Sequence, residues 1–369
     1  MLDGVAGLGD SHWGYHPLLK APESKLYPKG LLPNAFDGSV IKLNDGRVVT
    51  LGETVSQSHG IIGRGTCVSK ATLDSEDVIV KWSWPAKTRM AKAQLVKRAT
   101  EFASRLDDSL VLNHLPKLLH CEEREFNDDS PQQYLSHHFV EGYELRVLRI
   151  VVQEKLYPIT DLTTAAEPGE AFRGIFRCYR WLYEKADIMH RDISLNNLMY
   201  RRINGKVYGV LNDFDLSVVM GTEPLSTSKQ RTGTEPYMAR DLLVIGTPPP
   251  HLYRFDLESL FYVMVWVLCQ YHDGKMIDAP PFEVGEHLGT EALLKEKQSF
   301  FSAPLPPPTS NFLSLNTLMG SLYFMLNEAY TARNAAIMFH QDIDDHTLGG
   351  RVNFDKFQAI LEANLPPSM

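Results

Sequence analysis

The stretch Met189-His190-Arg191-Asp192-Ile193-Ser194-Leu195-Asn196-Asn197 constrains this chain more than any other. It is followed by the apolar block Val207-Tyr208-Gly209-Val210-Leu211 and then by Asn212-Asp213-Phe214-Asp215. The block reads as a short strand that delivers Asp213 to the neighbourhood of the preceding loop. A carboxylate such as Asp192 can accept a proton from an attacking hydroxyl, and the Asn197 amide behind it can reach a metal ion. Asp213 supplies a second ligand of the same kind. Mg²⁺ keeps most of its waters and takes one or two protein oxygens plus substrate phosphates, which is the ligand chemistry Asn197 and Asp213 offer. The bland alternative is a buried His-Arg-Asp ion pair beside an ordinary hairpin, with Asp213 in a turn. A single triplet would not decide between them; the ordered set favours chemistry.

At 369 residues the chain suits one domain of two lobes or two ordinary domains. Its formal charge of −8 argues against generic binding to nucleic acid or an anionic membrane. Cys67, Cys121, Cys178 and Cys269 are widely spaced and form no C-x-x-C, so they read as reduced packing residues. Met1 to Asp10 offers neither a basic n-region nor an apolar h-region. The longest apolar run, Leu260 to Cys269, falls short of the roughly 18 residues of a membrane span and reads as a buried core helix. The expectation is an intracellular protein, cytoplasmic or nuclear.

Residues 1–38 mix turn formers and aromatics without a period and read as an irregular extension. Val40 to Leu43 and Arg47 to Leu51 flank Asn44-Asp45-Gly46, a hairpin signal. Gly60-Ile61-Ile62-Gly63-Arg64-Gly65-Thr66-Cys67-Val68 then precedes Asp77 to Trp82, a strand pattern carrying Lys81. Glycines let backbone N–H groups approach phosphates, although a lone Gly-x-Gly more often marks a tight turn. Lys81 within a buried strand would cost several kcal/mol unless its charge were paired, as a phosphate and a helix carboxylate could do. Thr88 to Leu106 and Glu170 to Ala186 read as helices, the second with an apolar stripe wide enough for burial.

His190-Arg191-Asp192-x-x-x-x-Asn197 followed by Asp213-Phe214 resembles the protein-kinase pattern H-R-D-x-x-x-x-N and D-F-G, with Asp215 in place of Gly. Gly63 to Val68 and Lys81 resemble the glycine-rich loop and V-A-I-K strand, Val68 standing where a third glycine is expected. Arg231 to Asp241 resembles the end of an activation segment, with Arg240-Asp241 for Pro-Glu, and Asp256-Leu257-Glu258-Ser259-Leu260 is similar to the start of the central helix. The wording of Val80 to Pro85, Arg146 to Arg149, His190 to Ser194 and Asp256 to Tyr262 resembles the fungal-type protein-kinase-like family.

That resemblance implies an α+β, two-lobed fold, with a β-rich N-lobe over 39–153 carrying one main helix and a mainly α-helical C-lobe over 154–369. It implies ATP and Mg²⁺ as partners in phosphoryl transfer to Ser/Thr hydroxyls of a protein substrate. Asp192 would orient the hydroxyl and accept its proton; Lys81, paired with Glu101, would hold nucleotide phosphates. Asn197 and Asp213 would hold Mg²⁺. Gly63, Gly65 and Val68 would line the phosphates, and the hinge from Gln153 to Leu156, including Glu154, would meet the adenine edge. Asp256 would accept N–H groups of the catalytic loop and Asp241 would pair with Arg333. A phosphate on Thr227, Ser228 or Thr232 would meet Arg191. Two departures keep other readings open: Ser194 stands where serine/threonine kinases carry Lys, and Asp215 adds a carboxylate near the metal. The alternatives are a pseudokinase acting as a binding module and a small-molecule phosphotransferase. Asp342-Ile343-Asp344-Asp345 suggests a calcium loop, but Thr347 and Asn353 replace its Gly and Glu.

Overall fold

Side chains alternate inward and outward along a strand, and Cys67–Leu73 obeys this strictly: Cys67, Ser69, Ala71 and Leu73 are buried while Val68, Lys70 and Thr72 are not. A computed structural model of the chain describes residues 19–20, 36–57, 64–88, 91–125, 144–221, 232–244, 246–282 and 289–367. Gly63, Thr227, Ser228 and Arg231 lie outside these residues. The chain divides into two compact units, the first comprising Met1–Gln94 and Lys117–Lys155, the second Leu95–Pro116 and Leu156–Met369.

The first unit is built on an antiparallel sheet of seven strands: β1 (Leu19–Lys20), β2 (Val40–Lys42), β3 (Val48–Gln57), β4 (Cys67–Leu73), β5 (Glu76–Ser83), β6 (Leu118–Arg124) and β7 (Leu148–Glu154). Their order is β1-β2-β3-β4-β5-β7-β6. The Asn44-Asp45-Gly46 turn joins β2 to β3 in the register Lys42 to Val48, and its Asn44 N–H donates to the buried Glu122 carboxylate at 2.7 Å. Ile41, Leu51, Val80, Trp82, Ile150 and Val152 form the core on one face. Lys81 therefore lies on the other face, half-buried, opposite Val68 on one side and Val151 on the other. The stretch read from sequence as irregular contributes β1, which pairs with Val40 and Ile41.

The second unit is mainly helical. Its helices are α1 (Lys92–Arg105, which begins in the first unit), α2 (Ser109–Leu112), α3 (Ala166–Ala186), α4 (Tyr253–Gln270), α5 (Thr290–Phe300), α6 (Asn316–Met338) and α7 (Phe354–Asn364). Leu95–Pro116 falls in this unit, whereas the sequence reading gave it to the N-lobe. The Phe102 ring packs on Trp181 at 5.7 Å, and Leu211 N–H donates to His114 O at 3.0 Å. Helix α4 is buried along nearly its whole length, as expected of the Leu260 to Cys269 run, because a helix apolar on every side needs cover on every side. No helix among the described residues is long and apolar enough to cross a membrane.

Strand β10 (Leu198–Ile203) and strand β11 (Lys206–Leu211) form a hairpin around Asn204 and Gly205, both at positive φ, the type I′ chemistry of an Asn-Gly turn. Ahead of this hairpin in sequence come β8 (Tyr157–Pro158), which pairs with β10, and β9 (Ile188–Met189). Strand β11 lies directly against α3 because Gly209 has no side chain: a Cβ there would stand 2.2 Å from Ala171 O. The same logic seats His114, whose ring occupies the space a Cβ on Gly174 would fill and whose Nδ1 is 2.5 Å from Gly209 O. Burial pushes the His114 pKa down, so the ring is neutral and Nδ1–H donates.

Gly209→Ala is expected to destabilise the protein by about 1–3 kcal/mol, because backbone must move to accept the methyl group. Gly320→Ala on α6, where an added Cβ meets nothing within 4 Å, should be neutral or stabilising by up to about 1 kcal/mol. Denaturant midpoints for the two variants check the contrast; equal shifts would contradict the close packing of α3 on β11.

Candidate active site

Two short strands bring the chain into and out of the site side by side, since β9 pairs antiparallel with β12 (Val218–Val219) in the register Met189 to Val218. Between them, outside the Asn204-Gly205 hairpin turn, the backbone makes two departures from ordinary geometry: Arg191 has φ +70 and Asp213 has φ +57. Non-glycine residues at positive φ are strained and persist only where their surroundings over-determine them, a condition met most often at functional sites. For Arg191 the determining contact is plain. Its N–H donates at 3.0 Å to Oδ2 of Asp256, a carboxylate 1% exposed in the first turn of α4. His251 Nε2 lies 3.0 Å from the other oxygen, Oδ1. Burial alone would raise the Asp256 pKa, but His251, His190 and the Arg191 N–H outweigh it and hold the carboxyl below its usual range.

His190 is fixed from three directions. Its Nε2 is 3.1 Å from Asn212 O, its Nδ1 is 3.4 Å from the Asp192 N–H, and its ring meets Phe214 edge-on at 5.0 Å. Asn212 N–H in turn donates to Asn197 O at 2.9 Å, which ties the end of β11 to the turn Leu195–Asn197. Asn197 Nδ2 donates to Asp192 O at 2.8 Å and to Asp192 Oδ2 at 3.1 Å. The remaining carboxylate oxygen, Asp192 Oδ1, accepts from Thr234 Oγ1 at 2.9 Å. Burial raises the Asp192 pKa above the ordinary carboxylate value, and the nearby Asp213 charge adds to this. His190 and the bonds from Thr234 and Asn197 pull the other way.

The structure thus brings Asp192 and Asn197 into direct contact and Asp213 into electrostatic range. Asp213 Oδ1 accepts the Asp215 N–H at 3.1 Å. Ser194, at the position of the usual lysine, is buried at 3% exposure. Thr232 Oγ1 lies 3.3 Å from Arg191 Nη2. Among the other expected residues, Lys81 and Val68 are cross-strand neighbours in the first unit, Gly65 is exposed with φ +52 just before β4, and Gly63 lies outside the described residues. The Glu154 carboxylate accepts Lys117 N–H at 2.9 Å; Leu156, which opens the second unit, is buried; Glu101 is exposed on α1.

Asp241 meets Arg333 Nη1 at 2.6 Å, the pairing read from sequence, and also Arg254 Nη2 at 2.6 Å, which sequence reasoning missed. His251 was missed too. Its only signal is a histidine just ahead of the helix that carries Asp256. The turn that resembled a calcium loop is closed by Asp344, whose carboxylate accepts the His346 and Thr347 N–H groups, while Asn353 caps α7 by accepting Lys356 N–H.

Comparison with solved structures finds the Cydia pomonella granulovirus kinase PK-1, 13% identical, with a TM-score of 0.49 over 85% of this chain and 94% of that one. It also finds vaccinia related kinase 3, 14% identical, with a TM-score of 0.48 over 90% of each chain. No curated protein matches the sequence significantly. The sequence model described as fungal protein kinase matches residues 36–268, well over half of the chain. Its α+β elements are those of a protein-kinase-like fold, and the chain belongs to the fungal protein kinase family.

Proposed function

We propose that this chain transfers the γ-phosphoryl group of ATP to Ser/Thr hydroxyls of a protein substrate. The observation that carries the proposal is the Asp192 carboxylate, half-buried and held through both oxygens by Thr234 Oγ1 and Asn197 Nδ2. Donors on both oxygens fix the rotamer, and a raised pKa brings the base closer to the pH at which it works. The substrate hydroxyl oxygen attacks phosphorus, its proton passes to Asp192, and the bond to the ADP leaving group breaks. Because Thr234 belongs to the segment that resembles a peptide-facing element, the bond to Asp192 couples substrate placement to the base.

Mg²⁺, when bound, would offset the charge on the phosphates. Asn197 and Asp213 fit it by chemistry, both being hard oxygen donors beside Asp192. On the nucleotide side, Lys81 would meet the phosphates, with Gly63, Gly65 and Val68 around them. Glu101 would be its carboxylate partner, and backbone groups from Glu154 to Leu156 would meet the base. A second reading, a weak or inactive kinase acting as a binding module, is favoured by one observation: the Ser194 hydroxyl is buried and carries no charge where a lysine would meet the transferred phosphate.

Asp192→Asn is expected to leave folding and ATP binding nearly intact and to lower phosphoryl transfer by about 10²-fold or more. Labelled ATP with Mg²⁺, a generic basic protein and a small-molecule panel measures this. Transfer at the wild-type rate in the variant would remove Asp192 from the mechanism, and no transfer by the wild type would favour the binding module. The base works ionised, so activity should be lost as pH falls through its raised pKa, placing the acid limb of kcat/KM above the usual carboxylate range. Thr234→Val removes a bond that stabilises the charged form, so it should move that limb to still higher pH. A limb that stays put in Thr234→Val would count against Asp192 as the titrating group.

Asp213→Ala should abolish the Mg²⁺-dependent part of nucleotide affinity, whereas Asp215→Gly should be mild or activating. Calorimetric titration of nucleotide with and without Mg²⁺ separates the two. A larger loss in Asp215→Gly would reverse the assignment.

A further inference from the structure

Lys297 on α5 is a buried cation that the mechanism above does not use. Its residue is 5% exposed, its Nζ lies 3.3 Å from the centroid of the Tyr262 ring, and it donates at 2.9 Å to the carbonyl of Pro236. Pro236 is the middle residue of the turn Glu235–Tyr237. That turn is closed by the Tyr237 and Met238 N–H groups donating to Thr234 O at 2.9 and 3.1 Å. Thr234 carries the hydroxyl that holds Asp192. The geometry points to Lys297 as a positioning residue for the peptide-facing segment, pinning the Pro236 carbonyl so that the turn presents Thr234 to Asp192. The inference rests on the kinase reading for the role of that segment.

The pin is seated on a stripe of α4. Glu258, Tyr262 and Trp266 are spaced four apart and so share one face of the helix. Glu258 Oε1 accepts Arg240 N–H at 2.8 Å, Tyr262 stacks under Lys297, and Trp266 meets Tyr237 edge-on at 5.6 Å. Two points of the segment, Arg240 and Tyr237, therefore rest directly on one helical face, and Pro236 reaches the same face through Lys297. A neutral apolar residue there would leave the half-buried Pro236 carbonyl without its donor, which costs part of the desolvation penalty of an unpaired acceptor.

The charged and titratable groups facing Lys297 are Glu258 and Tyr262 on α4 and Glu296 on α5; Tyr330 of α6 bonds to Glu258, and Tyr237 and Arg240 are carried on the pinned segment. Burial pushes the Lys297 amine down to about 7, against the pull of Glu258 and Glu296. A conformer with this side chain in water binds its proton more tightly than the pinned one does. Linkage then strengthens the pin as pH rises above about 7, where the neutral amine still donates N–H to Pro236 while the solvated amine keeps its proton; below about 7 both conformers are protonated and the balance no longer changes with pH.

Hydrogen exchange at the Tyr237 and Met238 amides reads the pin without requiring any enzymatic activity. In Lys297→Met, protection at these two amides should drop about tenfold while the amides of α4 keep theirs, and the KM for a serine peptide should rise about tenfold with the KM for ATP unchanged. In the wild type, protection corrected for intrinsic exchange should rise by up to about tenfold per pH unit above about 7 and level off below it, and the Lys297→Met profile should be flat. Wild-type protection retained in folded Lys297→Met overturns the inference. Should that variant not fold, a flat wild-type profile from about pH 7 to 9 overturns it. Exchange that behaves as expected in a protein that transfers no phosphoryl group supports the pin and sinks the kinase reading, so the two failures are distinct.

Discussion

A single buried carboxylate sets the backbone of the site. Asp256 lies in the first turn of helix α4 and accepts the N–H of Arg191, a residue whose φ of +70 would be unfavourable without that anchor. The carboxylate can stay ionised in the interior because His251 and His190 lie beside it and Arg191 N–H donates to it. From there each bond hands position to the next. Arg191 places Asp192, Asp192 is fixed by Asn197, and Asn197 O takes the Asn212 N–H that leads to Asp213. A helix buried on nearly every side is a suitable origin for such a chain, because the burial that orders it is spread over many residues.

The same helix organises the segment that ends in Asp241. Glu258 accepts Arg240 N–H, the Tyr262 hydroxyl and the Tyr330 hydroxyl, so one carboxylate joins α4, α6 and the segment. Arg240 itself stacks over the Tyr330 ring at 4.3 Å. Asp241 then takes Arg254 from α4 and Arg333 from α6. Where the family pattern has Pro-Glu, this chain has Arg-Asp, a carboxylate shorter by one methylene. Two guanidinium groups converge on it.

What could be read from the sequence was whatever depends on local spacing. The His190 to Asn197 loop, the Asn44-Asp45-Gly46 hairpin, the stripe of α3 and the buried run of α4 are all encoded within a few turns of chain, and each is found where the pattern put it. What escaped depends on contacts between distant positions. Lys297 and Pro236 stand 61 residues apart, and Tyr330 and Glu258 stand 72 apart. No periodicity announces such pairs. The assignment of Leu95–Pro116 to the helical unit is of the same kind. It depends on His114 filling the gap that Gly174 leaves and on Gly209 letting β11 touch α3, and a glycine in sequence does not say what fills its missing volume.

The acidic run near residue 345 has a consequence for what counts as the smallest self-sufficient piece of this protein. Asp345 meets Arg333 Nε at 3.3 Å, and its carbonyl accepts Arg254 Nε at 2.6 Å. It therefore touches both arginines that hold Asp241, Arg333 through its carboxylate and Arg254 through its backbone carbonyl. The family match stops at residue 268, yet Lys297, Tyr330, Arg333 and Asp345 all lie beyond it. A fragment cut at that boundary would keep every motif residue and lose the partners that hold the substrate-facing segment in place. The recognisable part of the sequence and the autonomous part of the molecule are therefore different lengths of chain.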